Sequence, residues 1–176
     1  MLDNIKNWND FNEIDPFNGI NVKGKISRHQ GDAYGALLIE EVNGKKVEEQ
    51  LILCTPKLHY PFDKNTGKWH FPSAKIIEKY EKLDGTNIFQ YVYLDHKGNT
   101  FISYKTRLLP FVRKSGGYKD FFSMWQEILK KFPEIPMLPF KLGMNLSYEL
   151  WGARNFHLIS YDIPLMASLL FGRKGV

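Results

Sequence analysis

The sequence predicts an α+β fold, with antiparallel β-sheets and a few helices packed on them. Three observations predict it. Residues 88–105 hold two β-favouring runs around a short polar turn. Asn43-Gly44 is a two-residue hairpin signal between two further β-favouring runs. Residues 120–132 carry an apolar stripe at helical spacing.

Taken in order, residues 1–20 are rich in Asn and Asp and predict a loosely packed leading segment. Ala36 to Leu53 predicts a hairpin about Asn43-Gly44. Residues 54–72 carry prolines, aromatics, histidines and the Asn65-Thr66-Gly67 turn, and predict a long ordered loop. Ser73 can cap a short helix over Ala74–Tyr80. Ile88–Leu94 and Thr100–Lys105 predict an antiparallel pair, which puts residue 82 and residues 105–107 at one end of a sheet. Ser115-Gly116-Gly117 predicts a flexible break. Phe121, Trp125, Ile128, Leu129 and Phe132 form the helical stripe, with Glu127, Lys130 and Lys131 facing away. Pro133, Pro136 and Pro139 end that helix in a stiff connector. Strands are predicted over Asn145–Trp151 and Phe156–Asp162, and a last buried helix over residues 165–171.

Bulk properties narrow the function. The 176 residues, 43% hydrophobic and 15% aromatic, suit one globular domain with a real core. Residues 1–74 are assigned to it as N-terminal strands and loop, and 75–172 as its motif-bearing part. No apolar stretch approaches a bilayer span, and the leading residues are polar and acidic, so no membrane and a cytoplasmic location are expected. The net charge of +5 is compatible with a phosphate-rich partner and with an ordinary soluble protein. One cysteine, Cys54, excludes an internal disulfide and sits in an apolar run as a buried thiol. The five histidines show no metal-ligand spacing, His59 and His70 lying among aromatics, and no metal ligands are assigned. There is no P-loop and no glycine-rich dinucleotide fingerprint.

Lys82-Leu83-Asp84-Gly85 carries the chemistry. The tetrapeptide pattern arises by chance in roughly one chain in 25 of this length. Alone it leaves two readings open, a surface turn or a nucleophilic lysine at the mouth of a strand. Three other features follow it in order, and one precedes it. Ser103-Tyr104-Lys105-Thr106-Arg107 offers basic side chains, and the planar Arg107 guanidinium can grip phosphate in two places. In Ser147-Tyr148-Glu149-Leu150-Trp151-Gly152 the glutamate is flanked by apolar rings and needs a partner. In Leu158-Ile159-Ser160-Tyr161-Asp162-Ile163 an aromatic can stack on a base; a core tyrosine with a bonded hydroxyl is the other reading. Glu81 precedes the lysine.

Lys82-Leu83-Asp84-Gly85-Thr86-Asn87 resembles the first motif of the ATP-dependent polynucleotide ligases. Thr86-Asn87 looks like their RNA-ligase branch, because DNA ligases usually carry arginine where this chain has Asn87. The blocks around Arg107, Glu149 and Tyr161 resemble the motifs that follow. The resemblance covers roughly residues 75–172. It implies a ligase-type nucleotidyltransferase domain, ATP-grasp-like in fold, using ATP and Mg²⁺. In that chemistry Lys82 attacks the α-phosphate of ATP, forming lysyl-AMP and releasing pyrophosphate. AMP passes to an RNA 5′-phosphate. A 3′-hydroxyl then attacks the activated end, seals the strand and releases AMP, as in RNA repair.

By the same resemblance Lys82 is catalytic, and Glu81, Leu83, Asn87, Arg107, Glu149 and Tyr161 bind nucleotide. Glu149 would accept from a ribose hydroxyl, Glu81 from the adenine amino group, and Lys105 is a further phosphate contact. The family's metal-supporting glutamate block and final lysine block are not found in the sequence. The expectation is therefore a C-terminally incomplete domain, with a C-terminal segment or partner fragment to complete it. The alternatives are a nucleotide- or RNA-binding relative without catalysis, and a GTP-dependent mRNA capping guanylyltransferase, which Glu81 and Asn87 disfavour.

Overall fold

A computed structural model of the chain describes residues 5–29, 31–57, 61–71, 73–114 and 120–174. The expected break at Ser115-Gly116-Gly117 and the position of His59 lie outside the described residues. The architecture is sheet-dominated, antiparallel and α+β in character.

Four strands open the chain: β1 (Trp8–Asp15), β2 (Ile20–Ser27), β3 (Leu37–Val42) and β4 (Lys45–Ile52), in the order β1-β2-β3-β4. The predicted hairpin is β3–β4, with Asn43 and Gly44 both at positive φ in its turn. The leading segment is not loose. Trp8 to Asp15 pairs residue for residue with Ser27 to Ile20, and Phe11 is buried beneath it. Strand pairing overrides the weak propensity of Asn and Asp here. Next comes a two-stranded hairpin, β5 (Phe62–Asp63) and β6 (Lys68–Trp69), inside the segment expected to be a loop. Its turn is the predicted Asn65-Thr66-Gly67, with Gly67 at positive φ.

The second large sheet holds β7 (Gly85–Leu94), β8 (Thr100–Lys105), β9 (Asn145–Trp151) and β10 (Met166–Arg173), in the order β10-β9-β7-β8. Between β8 and β9 lie helix α1 (Phe121–Lys131) and the short α2 (Leu138–Leu142). Asp120 caps α1, its carboxylate accepting from the Ser123 N–H and hydroxyl. The prolines do more than stop a helix. Pro136 opens a 3₁₀ turn over Ile135–Met137 and Pro139 lies in the first turn of α2.

The second sheet is sandwiched. Phe89, Tyr91 and Tyr93 point toward Val22, Leu37 and Ile39 of the first sheet. Ile88, Tyr148 and Leu150 point the other way, onto Phe122, Trp125 and Ile128 of α1. The predicted stripe of α1 thus joins this core, Trp125 and Ile128 fully and Phe121, Leu129 and Phe132 in part. Burial drives Tyr148's hydroxyl pKa up to about 12. Asp15 pins the sheets together. Fully buried, it accepts from the Tyr93 hydroxyl at 2.9 Å, while Asn18 bonds both Asp15 and the Ile102 carbonyl.

Three predicted elements are corrected. Ala74–Tyr80 is not helical, and Ile76, Ile77 and Tyr80 are 77%, 88% and 80% exposed. A short amphipathic helix needs something to pack on, and this one meets nothing among the described residues. Phe156–Asp162 is an irregular loop whose amides turn to a carboxylate and not to a strand. The expected helix over 165–171 is strand from Met166 on, with Ala167 opposite Leu150 and a register shift between Leu169 and Phe171. A seven-residue apolar run cannot by itself separate buried strand from helix.

Candidate active site

The strand pairing gathers the site at one end of the second sheet. Gly85 lies opposite Trp151, Asn87 opposite Glu149 and Phe89 opposite both Ser147 and Lys105. Paired residues share a face, so Asn87, Glu149, Ser147 and Lys105 all look toward the first sheet. Thr55, just past β4, meets them there. Its hydroxyl donates to Asn87 Oδ1 at 2.8 Å and lies 3.0 Å from Ser147 Oγ. Asn87 Nδ2 donates to Ser147 Oγ at 2.8 Å and to the Tyr148 carbonyl at 3.1 Å. Asn87 is therefore held on both ends by protein groups. Thr55 and Ser147 were not foreseen, because their contact joins residues distant in sequence.

Glu149 is half-buried at this end of the sheet, and burial pushes its carboxyl above the ordinary range. The positive charges of Lys82 and Arg107 and the Gly85 N–H oppose that rise, and Asp84 adds to it. So Lys82, Arg107 and Glu149 are electrostatic neighbours. Lys82 is exposed and makes no hydrogen bond or ion pair with any described residue. Arg107 is half-buried, and its Nε is a buried donor without a partner. An orphan donor of this kind asks for an acceptor the protein itself does not supply.

Lys105 is placed otherwise than its phosphate assignment anticipates. It is fully buried, and its ammonium donates to the carbonyls of Gly35 and Arg107, each at 2.9 Å. Burial lowers its pKa. It fastens the 28–35 connection to the backbone of Arg107 from below. Gly35, at φ +80°, approaches so closely that a Cβ there would lie 2.1 Å from the Arg107 carbonyl oxygen. Cys54 is also buried, its thiol pushed up by burial against the pull of Lys105, as suits a structural residue.

Asp84 ties the lysine's segment to the loop after β9. Its Oδ2 accepts from the Leu158 and Ile159 amides, and its own N–H donates to the Tyr161 hydroxyl at 2.8 Å. Those amide bonds hold its carboxyl below the usual range. Tyr161 is half-buried, with its ring edge-on to Trp151 at 4.7 Å between centroids. Leu83 is half-buried between Lys82 and Asp84. Glu81 is exposed and bonds to none of the described residues, so the structure does not bring it to Tyr161. Gly85 serves close packing and not a turn. A Cβ there would lie 2.2 Å from the Leu150 carbonyl oxygen.

Among the described residues no three His, Cys, Asp or Glu side chains converge as a metal site. Glu149 feels the charge of both Lys82 and Arg107, and Asp84 is already engaged by two amides. A separate groove of about 830 Å³ opens at the Leu94 end of β7, lined by Gln50, His96, Phe140 and Asn145 among others. It lies a full strand, ~30 Å at the usual rise, from Gly85, so it is not the Lys82 site. No helix among the described residues is long and apolar enough to cross a membrane. Comparison with protein-family models, with curated proteins and with solved structures returned no match.

Proposed function

We propose that this chain is the adenylyltransferase part of an ATP-dependent RNA ligase, working through lysyl-AMP on Lys82. The observation that carries the reading is a cluster of charge. A lysine without a bond to any described residue and an arginine with an unpaired buried donor both act electrostatically on a half-buried glutamate at the end of one sheet. These three are what nucleotidyl transfer requires. One supplies the amine, one offers a planar grip on phosphate, and one accepts from a sugar hydroxyl.

In this reading Lys82 Nζ bonds to the α-phosphorus, the bond to the β-phosphate oxygen breaks, and pyrophosphate leaves. Arg107 balances charge on the phosphate oxygens. Glu149 fixes the ribose, and Tyr161 presents its ring face to the base while Asp84 holds its hydroxyl. Mg²⁺ would enter with the triphosphate, Glu149 being a carboxylate at this end of the sheet that could help hold it, and would supply neutralisation of phosphate charge. AMP then passes to an RNA 5′-phosphate, and attack by the 3′-hydroxyl releases it. The non-catalytic alternative draws support from the exposed, irregular segment that carries Lys82. It shares the pocket and omits the covalent step.

A phosphoramidate survives denaturation in SDS and a bound nucleotide does not. With α-labelled ATP and Mg²⁺, little or no covalent label should appear on this chain alone; label should appear once a segment bearing the two absent blocks is supplied, in cis or as a separate fragment, and Lys82→Ala should abolish it. ATP should raise the melting temperature more than GTP does. A thermal shift without label even in the completed protein supports the binding-only relative. A larger shift with GTP moves the reading to the capping branch. Equal labelling of Lys82→Ala overturns the assignment of the nucleophile.

A further inference from the structure

We propose that the β5–β6 hairpin is a stacking platform for the bases of single-stranded RNA. The proposal rests on the ligase reading above and names where its polynucleotide lies. Phe62 and Trp69 are directly paired across the hairpin, and Phe71 lies two residues beyond Trp69, so all three share one face. They are 39%, 63% and 72% exposed. Trp69 and Phe71 are parallel within 3°, with centroids 5.8 Å apart, and Phe62 leans on Trp69 at 5.1 Å. Among the described residues the three rings, open to water, cover no core. Parallel exposed rings are what a run of unpaired bases stacks on, and that stacking tolerates any base.

Charge selects the partner. Lys64 and Lys68 flank the turn, and neither is in an ion pair among the described residues. The hairpin's acid, Asp63, turns inward, accepting from the Asn65 amide at 2.9 Å and the Thr66 hydroxyl at 2.8 Å. The hairpin is therefore aromatic on one face and carries lysine in its turn and, by the pleat, on the other, charge that suits a phosphate backbone running past stacked bases. Three rings are too small a patch for a stable protein dimer. The chain then runs through Lys75 and Lys79 to Lys82, so the platform and the reactive amine share one connecting segment.

The test measures anisotropy of a fluorescent oligoadenylate with a 5′-phosphate. Trp69→Ala with Phe71→Ala should weaken binding by about tenfold or more, and Trp69→Phe should keep most of it. Lys64→Ala with Lys68→Ala should flatten the salt dependence by roughly 0.7 per lysine. Melting temperature without ligand should hold in each variant, because these side chains are exposed. The ATP-induced thermal shift should also hold, since the platform lies outside the nucleotide cleft. Failure of Lys82 labelling in the completed protein would strike the ligase reading, and RNA binding that still depends on Trp69 would uphold the platform. Unchanged RNA affinity in the Trp69/Phe71 double variant overturns the proposal. So does a variant that keeps RNA affinity but loses binding to phosphatidylserine vesicles or loses self-association.

Discussion

The two walls of the cleft are held in different ways. Glu149, Asn87, Ser147 and Lys105 stand on strands whose neighbours Ile88, Leu146 and Leu150 are at most 1% exposed. Lys82 stands on a segment without regular structure over residues 73–84, with Ile76, Ile77 and Tyr80 open to solvent. In the proposed function, the wall that would bind nucleotide is thus built by the core, and Lys82 approaches it on a tether fixed at Asp84. Preorganisation is strong where a ligand would be gripped and weak where a covalent bond would form.

Hydrogen exchange gives the largest expected contrast. Amides of Ile88–Tyr93 should open only with the whole protein, and those of 73–81 should exchange almost freely. A ratio of about a thousandfold or more is expected for an ordinary domain stability. Comparable protection in the two regions would mean that 73–84 is packed, and the contrast would fall. ATP with Mg²⁺ should slow exchange around Lys82 more than in β7.

Next in size is a pair of truncations. Trp125→Ala removes a fully buried ring from beneath Tyr104 and Tyr148 and should cost about 3–5 kcal/mol in urea unfolding. Ile77→Ala, on an exposed side chain, should change stability by less than about 0.5 kcal/mol. A large loss with Ile77→Ala would place that side chain in a core.

The smallest effect is a pH dependence at Glu149. Burial raises its folded-state carboxyl above the ordinary value of 4.5, so the folded chain holds that proton longer than the unfolded chain. The resulting destabilisation is absent below the ordinary carboxylate range and complete once pH exceeds the raised value. Glu149→Gln removes it. The melting temperature of the variant relative to wild type should therefore be higher at pH 7 than at pH 4, by a few degrees at most. The same variant should lose part of the ATP-induced shift. No change in the difference between the two pH values would mean that Lys82 and Arg107 already cancel the burial.

Local pattern made the framework legible. The Asn43-Gly44 hairpin, the β7–β8 pair, strand 145–151 and helix 121–131 all announce themselves within short windows. What failed was local pattern with no matching surroundings. Ile76, Ile77 and Tyr80 have helical spacing, but a helix there would find no face to bury. Residues 165–171 could have been either element, and the open edge of β9 decided for strand. The candidate residues gather at one end of the sheet, but their contacts depend on residues distant in sequence. Lys105 reads as a surface cation beside Arg107 in sequence, yet the pleat turns it inward onto the Gly35 carbonyl. Thr55 has no signal of its own and acquires one only when Asn87 and Ser147 arrive beside it.

The bonds of Asp84 have a consequence for how such a site can vary. One residue receives the amides of Leu158 and Ile159 and offers its own amide to the Tyr161 hydroxyl. Lys82 is two positions away. Tyr161 and Lys82 are coupled through this clip, so a change that moves one drags the other. An insertion between Lys82 and Asp84 would shift the lysine against the clip, and Gly85, pressed against Leu150, leaves no slack to absorb it. If the proposed function holds, drift in nucleotide preference would be channelled to positions off the clip, such as Glu81 on the open segment and Trp151 edge-on to the ring. The spacing from Lys82 to Asp84 would then be the part of the sequence least free to wander.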